Sequence, residues 1–254
     1  MTSYQRSFLI GLVSLAITVL CPARSHAAAI SMNPIADSFV TPGSDGSLSN
    51  NNYGAAGLLS IAAPGKPQGE FQSVLQFDLS AAKASFDTQF GAGLWSIESV
   101  TLQLTAAPVN NAIFNAISAG QFKISWMQND SWTEGAGTPS VPTTTGITSN
   151  SLPTFLGPND EDLGTFSFNG ATSGSTTYTL TLTSGFTADM LAGSVISFRT
   201  FEADTDISYL FNSRNFNTAA SRPLLTVTAV PEPSSCVLAL AGLSLLIRGR
   251  LRRR

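Results

Sequence analysis

The chain has 254 residues, with 13 Lys plus Arg, 16 Asp plus Glu, one His and two Cys; it is 43% hydrophobic and only 11% charged, far below the ~25% of an average soluble domain. Twenty-one Gly and 13 Pro favour short elements joined by turns and argue against an all-helical fold. The formal net charge of -3 hides a segregation: between Ile30 and Ala229 six basic residues (Lys66, Lys83, Lys123, Arg199, Arg214, Arg222) face fifteen acids, leaving -9, the wrong sign for a nucleic-acid-binding surface.

Residues 1–29 read as a secretory signal peptide. Arg6 precedes an uncharged run from Phe8 to Leu20, and small residues at Ser25, Ala27, Ala28 and Ala29 place cleavage after Ala27 or Ala29. Thirteen residues are too few for an ordinary transmembrane helix. A lipoprotein signal at Cys21 fails on the bulky Leu20 before it. Cleavage removes Cys21 and His26 and leaves Cys236 as the last thiol. Triads built on His, Cys-His pairs, imidazole or thiolate metal sites and an intramolecular disulfide are then unavailable.

Residues 30–229 carry the period-two pattern of strands with one buried face. In chain order the expected strands are Ser38 to Thr41, Leu58 to Ala62, Ser73 to Leu79, Val100 to Leu104, Phe122 to Trp126, Leu163 to Phe168, Tyr178 to Leu182, Val195 to Phe201, Tyr209 to Asn212 and Leu224 to Ala229. Thr187 to Leu191 suits one helical turn, and Thr133 to Pro153, rich in Gly, Pro, Thr and Ser, reads as a long surface loop. Ten short strands with no long helical pattern predict an all-β fold of two packed antiparallel sheets, a β-sandwich.

Several segments in this region resemble DNRLRE-type domains: Asp37-Ser38-Phe39-Val40, Ser49 to Gly54, Val74 to Ser80, Trp132-Thr133-Glu134-Gly135, Phe211 to Arg214 and Arg222 to Val227. The resemblance implies a jelly-roll-like β-sandwich, a group that includes carbohydrate-binding modules and surface proteins. The chain departs from the pattern at Phe71-Gln72-Ser73, where such domains usually have a basic residue.

Candidate ligand contacts are Trp132, whose flat face suits a sugar ring, and Asn212, Arg214 and Asn215, which supply donors for glycan oxygens. Trp126 continues the inward series of Phe122 and Ile124 and reads as core. Arg214 also suits a structural pairing with an interior acid such as Asp78. Two oxygen-rich stretches, Asp160-Glu161-Asp162 and Asp204 with Asp206, have the chemistry for Ca²⁺. Asp130 and Glu134, four apart, are the minimum pair for a glycosidase.

Residues 230–254 hold Pro231-Glu232-Pro233, an apolar run from Cys236 to Ile247, and the cluster Arg248, Arg250, Arg252, Arg253 and Arg254. Order and spacing resemble the PEP-CTERM sorting signal of exported bacterial proteins. The resemblance implies recognition and cutting by an exosortase, a transpeptidase-like membrane enzyme. A helix over twelve residues rises only about 18 Å, short of the ~30 Å hydrocarbon layer, so the segment suits a transient inner-membrane hold with its arginines cytoplasmic.

The expectation is a noncatalytic protein exported by the Sec machinery and delivered to the cell surface or extracellular matrix, with weak contacts to extracellular polysaccharide. An alternative is a structural or adhesion protein assembled with Ca²⁺, and a third a secreted polysaccharide-cleaving enzyme.

Overall fold

The alternating segments become strands in a computed structural model, which describes residues 26–109 and 113–232. The signal-peptide run to Leu20, Pro233, and the apolar and arginine-rich tail lie outside the described residues. The strands are β1 (Ala28–Met32), β2 (Ala36–Gly43), β3 (Leu58–Ala62), β4 (Glu70–Asp78), β5 (Trp95–Thr105), β6 (Gly120–Met127), β7 (Glu161–Phe168), β8 (Ser175–Leu180), β9 (Val195–Glu202), β10 (Ser208–Asn212) and β11 (Leu224–Pro231). Two helices, α1 (Ser80–Phe90) and α2 (Ser184–Ala192), join them. Among the described residues no helix is long and apolar enough to cross a membrane.

Two antiparallel sheets form: a four-stranded one in the order β1-β11-β5-β8, and a seven-stranded one in the order β10-β3-β4-β9-β6-β7 with β2 also paired to β4. The alternation explains their packing. Val100, Leu102 and Leu104 of β5 and Leu225 and Val227 of β11 enter one core with Phe71, Leu75 and Phe77 of β4, Phe122, Ile124 and Trp126 of β6, and Phe198 of β9. Aromatic rings bridge the sheets, Phe122 meeting Tyr178 edge-on at 5.2 Å between centroids, a favoured geometry. The expectation of a core position for Trp126 holds.

The residues of opposite parity on the seven-stranded sheet are also buried, which the alternation did not announce. Val40, Val74 and Met127 form a second, smaller core with Trp132, Ile147 and Leu152. Thr133 to Pro153 is the long, largely exposed loop expected, but Ile147 and Leu152 are buried, so it also folds back as a cap over the sheet's outer face. Asn52 pins it, its side-chain amide donating to the carbonyls of Glu134 at 2.6 Å and Ile147 at 2.8 Å. Gly137 lets the cap come close, since a Cβ there would lie 1.8 Å from the Asn52 carbonyl oxygen.

The helices are finishing pieces. In α1, which the alternation left unmarked, only Ala82 and Phe86 are buried; Phe86 packs on Trp95 at 5.0 Å, and the Trp95 indole donates to Asp87 at 2.8 Å. α2 extends the expected turn at Thr187 to Leu191 at both ends. Its first turn is capped by Glu161, which accepts the N–H groups of Gly185 at 2.9 Å and Phe186 at 2.8 Å, answering donors a helix start leaves open.

β1 begins at Ala28, inside the segment assigned to the leader, and runs antiparallel to β11 with Ala28 opposite Ala229. The first described residues and Pro231-Glu232 therefore leave the sandwich at the same pole.

Trp132→Ala empties the centre of the cap and should cost about 3–5 kcal/mol, read as a lowered urea midpoint together with new proteolysis between residues 133 and 153. Val141→Ser, at a side chain 69% exposed, should change stability by less than about 0.5 kcal/mol.

Candidate functional site

Two constellations have the chemistry to act, a polar lock and an open cleft. The lock, buried at Asp37 and part-exposed at Arg214, lies where β2 starts, where the cap begins and where the chain leaves β10. Asp37 is fully buried, and its Oδ2 accepts the Arg214 N–H at 2.6 Å. The Glu134 carboxylate grips the Arg214 guanidinium through both oxygens, Oε1 at 2.6 Å from Nε and Oε2 with Nη2; such a two-point pairing is strong and directional. Glu134 Oε1 also accepts the Asp37 N–H at 3.1 Å. Asn215 donates to the Gly54 carbonyl at 2.9 Å.

Desolvation by burial pushes Asp37 up to about 7, against the Arg214 N–H that favours the anion, while the Glu134 charge raises it further. Hydrogen bonding to Glu134 raises Arg214. The cluster locks three loops. Arg214 thus has the expected structural pairing, with a different partner: Glu134 and Asp37 hold it, whereas Asp78 is exposed and accepts the N–H of Ser80 at 2.9 Å.

The open constellation is a cleft of about 220 Å³ on the outer face of the seven-stranded sheet, at the edge of the cap. Its floor is Glu70 and Gln72 of β4 and Arg199 of β9; Val40, Pro42, Leu152, Pro153 and Leu156 wall it. The parity of β4 that sends Phe71 inward points Glu70 and Gln72 outward. Arg199 Nε donates to Gln72 Oε1 at 2.7 Å, Gln72 Nε2 donates to Glu70, and the guanidinium lies 4.1 Å over the Phe201 ring, within cation–π range. Burial lowers Arg199, opposed by the charges of Glu202, Glu70 and Asp160, and burial raises Glu202. Among the described residues no carboxylate lies within ion-pair distance of Arg199. The sequence offered one signal for this site, the placement of Glu70, Gln72 and Arg199 on the polar beat of otherwise apolar strands, and the candidate list missed it.

The other candidates are dispersed. Trp132 is 3% exposed and donates to Ser197 Oγ at 3.0 Å, so the structure corrects its reading as a sugar platform. Asn212 is buried and donates to the Ser221 carbonyl at 3.2 Å. The five acids assigned to Ca²⁺ are not brought together. Asp160 accepts the N–H groups of Gln128 and Gly157 at 3.0 Å each, Glu161 caps α2, and Asp162 pairs with Lys123 at 2.7 Å. Asp204 accepts from Asp206 and Ile207 at 2.9 Å each. Among the described residues no group of three or more His, Cys, Asp or Glu is placed to hold a metal ion. Asp130 is raised to about 6 by burial, with a hydrogen bond from Ser197 opposing and Asp189 adding to the shift; its surroundings differ from those of Glu134.

At the shared pole, β11 carries the start of the Pro-Glu-Pro segment. Pro231 sits opposite Trp95, and the Glu232 N–H donates to the Leu94 carbonyl at 2.9 Å. Residues 229–254 match the PEP-CTERM protein-sorting motif, which implies export and processing by an exosortase, a membrane protein. No family match covers the sandwich itself, and no curated protein matches the chain. Among solved structures, the cowpea mosaic virus top component, a naturally occurring empty particle, aligns over 82% of this chain and 86% of its own at 11% identity, with a TM-score of 0.25, too weak a likeness to carry an argument.

The buried Asp37 of this lock sets a pH dependence. Asp37 has a raised pKa when folded, so its stabilising share is complete below the unfolded value near 4 and is lost as pH rises through about 7. The lowered acids, Asp45, Asp78, Asp87, Glu161, Asp162 and Asp204, contribute stability that is present above their ordinary pKa and is lost as pH falls through it towards their folded values. Urea unfolding from pH 4.5 to 7.5 should show stability falling with pH, Asp130 and Glu202 acting in the same direction as Asp37, and Asp37→Asn should remove the Asp37 part of that slope. An unchanged slope in the variant would place the titration elsewhere.

Proposed function

We propose that this chain is a noncatalytic surface or matrix protein, exported by a cleaved leader, held briefly at the inner membrane by its tail, and released by an exosortase. One observation carries the reading: the sorting motif begins on the last strand of a closed sandwich, so the whole described body is the cargo of that signal. β1 favours leader cleavage after Ala27, since cleavage after Ala29 removes two of the five residues paired with β11. The noncatalytic reading draws on the lack of His and of a Cys pair beyond Ala29.

The cleft is the surface we assign to weak glycan contact. Arg199 and Gln72 offer donors, Glu70 an acceptor, and Pro42, Leu152, Pro153 and Leu156 an apolar wall for the C–H face of a ring. Its volume lies below the ~300–1,000 Å³ of drug-sized sites, which suits one sugar unit or a chain end. The acidic body favours a neutral glycan, because a polyanion is repelled over about 8 Å at physiological salt. A DNRLRE-like origin for the sandwich fits the same picture: the matching segments supply Asp37, Glu134 and Arg214, which lock the loops.

Mass spectrometry of protein from culture medium and cell envelope tests the main reading. The expected product starts at Ala28 and ends between Pro231 and Ser235; a cytosolic product intact to Arg254 would overturn it. On immobilised neutral glycans, Arg199→Ala should reduce retention at least several-fold with an unchanged unfolding midpoint.

A further inference from the structure

The sorting motif does not begin on a tether. Val230 pairs with Ser96, Pro231 with Trp95, and the Glu232 N–H is taken by the Leu94 carbonyl at 2.9 Å. β1 flanks β11 only as far as Ala28 opposite Ala229, so Val230 to Glu232 are held from the β5 side alone. The gripping strand is itself fixed. Leu94 N–H donates to the Gly91 carbonyl at 3.1 Å, and Trp95 is 6% exposed, packed at a tilt against Phe86 and hydrogen-bonded to Asp87.

An enzyme that processes a peptide segment commonly binds it extended and uses the same backbone groups that a neighbouring strand would use. Here the first two residues of the motif are already used in that way. We propose that the folded sandwich holds its own sorting signal in check: Pro231 and Glu232 must unpair from β5 before the motif can enter the exosortase cleft. This rests on the reading that the chain is an exosortase substrate, and it adds that the body regulates the step.

The check is weak by construction. Pro231 and Trp95 form a non-hydrogen-bonded pair, so beyond Val230 the hold on β5 rests on the single Glu232 donor. Unpairing the end of a strand is among the least costly local openings in a fold. A net hydrogen bond of ordinary strength then slows processing by about threefold to tenfold.

The experiment follows conversion of the full chain in isolated membranes of its own host, by the mass of the C-terminal fragment. A four-residue Gly-Ser spacer between Val230 and Pro231 takes the motif off β5 and should speed conversion threefold to tenfold. Ser96→Cys with Val230→Cys, in a Cys236→Ser background, ties the register partners. Directly opposed antiparallel residues lie about 4.5–5.5 Å apart, within disulfide range. The bridged form should convert at least threefold more slowly and recover the parent rate on reduction, which a misfolded variant would not do. Parental rates for both variants, or slower conversion of the spacer variant, would overturn the check while leaving the sorting reading intact. A parent chain that is never converted would overturn both.

Discussion

Both faces of the seven-stranded sheet have to be kept dry, and most of the molecule follows from that requirement. One face is covered by the four-stranded sheet and the large aromatic core. The other is covered by a cap that contributes only a few apolar side chains, Trp132, Ile147 and Leu152 chief among them. A cap with so little apolar surface needs polar fastening. The Glu134–Arg214 pair and the saturated Asn52 amide supply it, joining segments that are 80 and 82 residues apart in sequence. The fastening carries its own cost, because Asp37 is carried into the interior with one carboxylate oxygen lacking a partner. The result is a body whose most buried acid favours its neutral form.

Strand alternation was legible where one face met the core and the other met water. β5 and β6 show it plainly, since Val100, Leu102, Leu104, Phe122 and Ile124 are fully buried between less buried neighbours. It failed where both faces are covered, because Val74 and Met127 break the polar beat for a reason supplied by residues some distance along the chain. It failed again at β1, whose five residues are alternately half-buried and exposed and whose composition also suits the end of a leader. α1 was hidden by having only two buried side chains on an otherwise polar surface. The role of Arg214 was legible as a need for an acid, but its identity was not: Glu134 is chosen by the path of the cap, which no local pattern encodes.

The carboxylates show how little of an acidic composition is available for ligands once the chain has folded. Glu161 spends its oxygens on the start of α2, Asp204 on a turn, Asp160 on two backbone donors. Each is a local solution to an open N–H, and together they scatter residues that look adjacent in the sequence. The cleft differs because its charges are not consumed in that way. Arg199 faces a glutamine and an aromatic ring in place of a carboxylate, so among the described residues its charge has no ion-pair partner.

The same economy bears on the pole where β1 begins and β11 ends. A last strand that closes the four-stranded sheet has to run to the edge of the fold, and here the edge is where the sorting motif begins. Proline at that position reconciles the two demands. Its fixed φ suits an extended chain, so β11 continues smoothly through Pro231, and its missing donor falls on the side away from β5, where the ladder goes on to the bond from Glu232. An N–H at position 231 would point away from β5, so proline there costs the ladder no bond. Pro231 thus lets the strand run up to the sorting motif, and Glu232 supplies its last bond to the neighbouring chain.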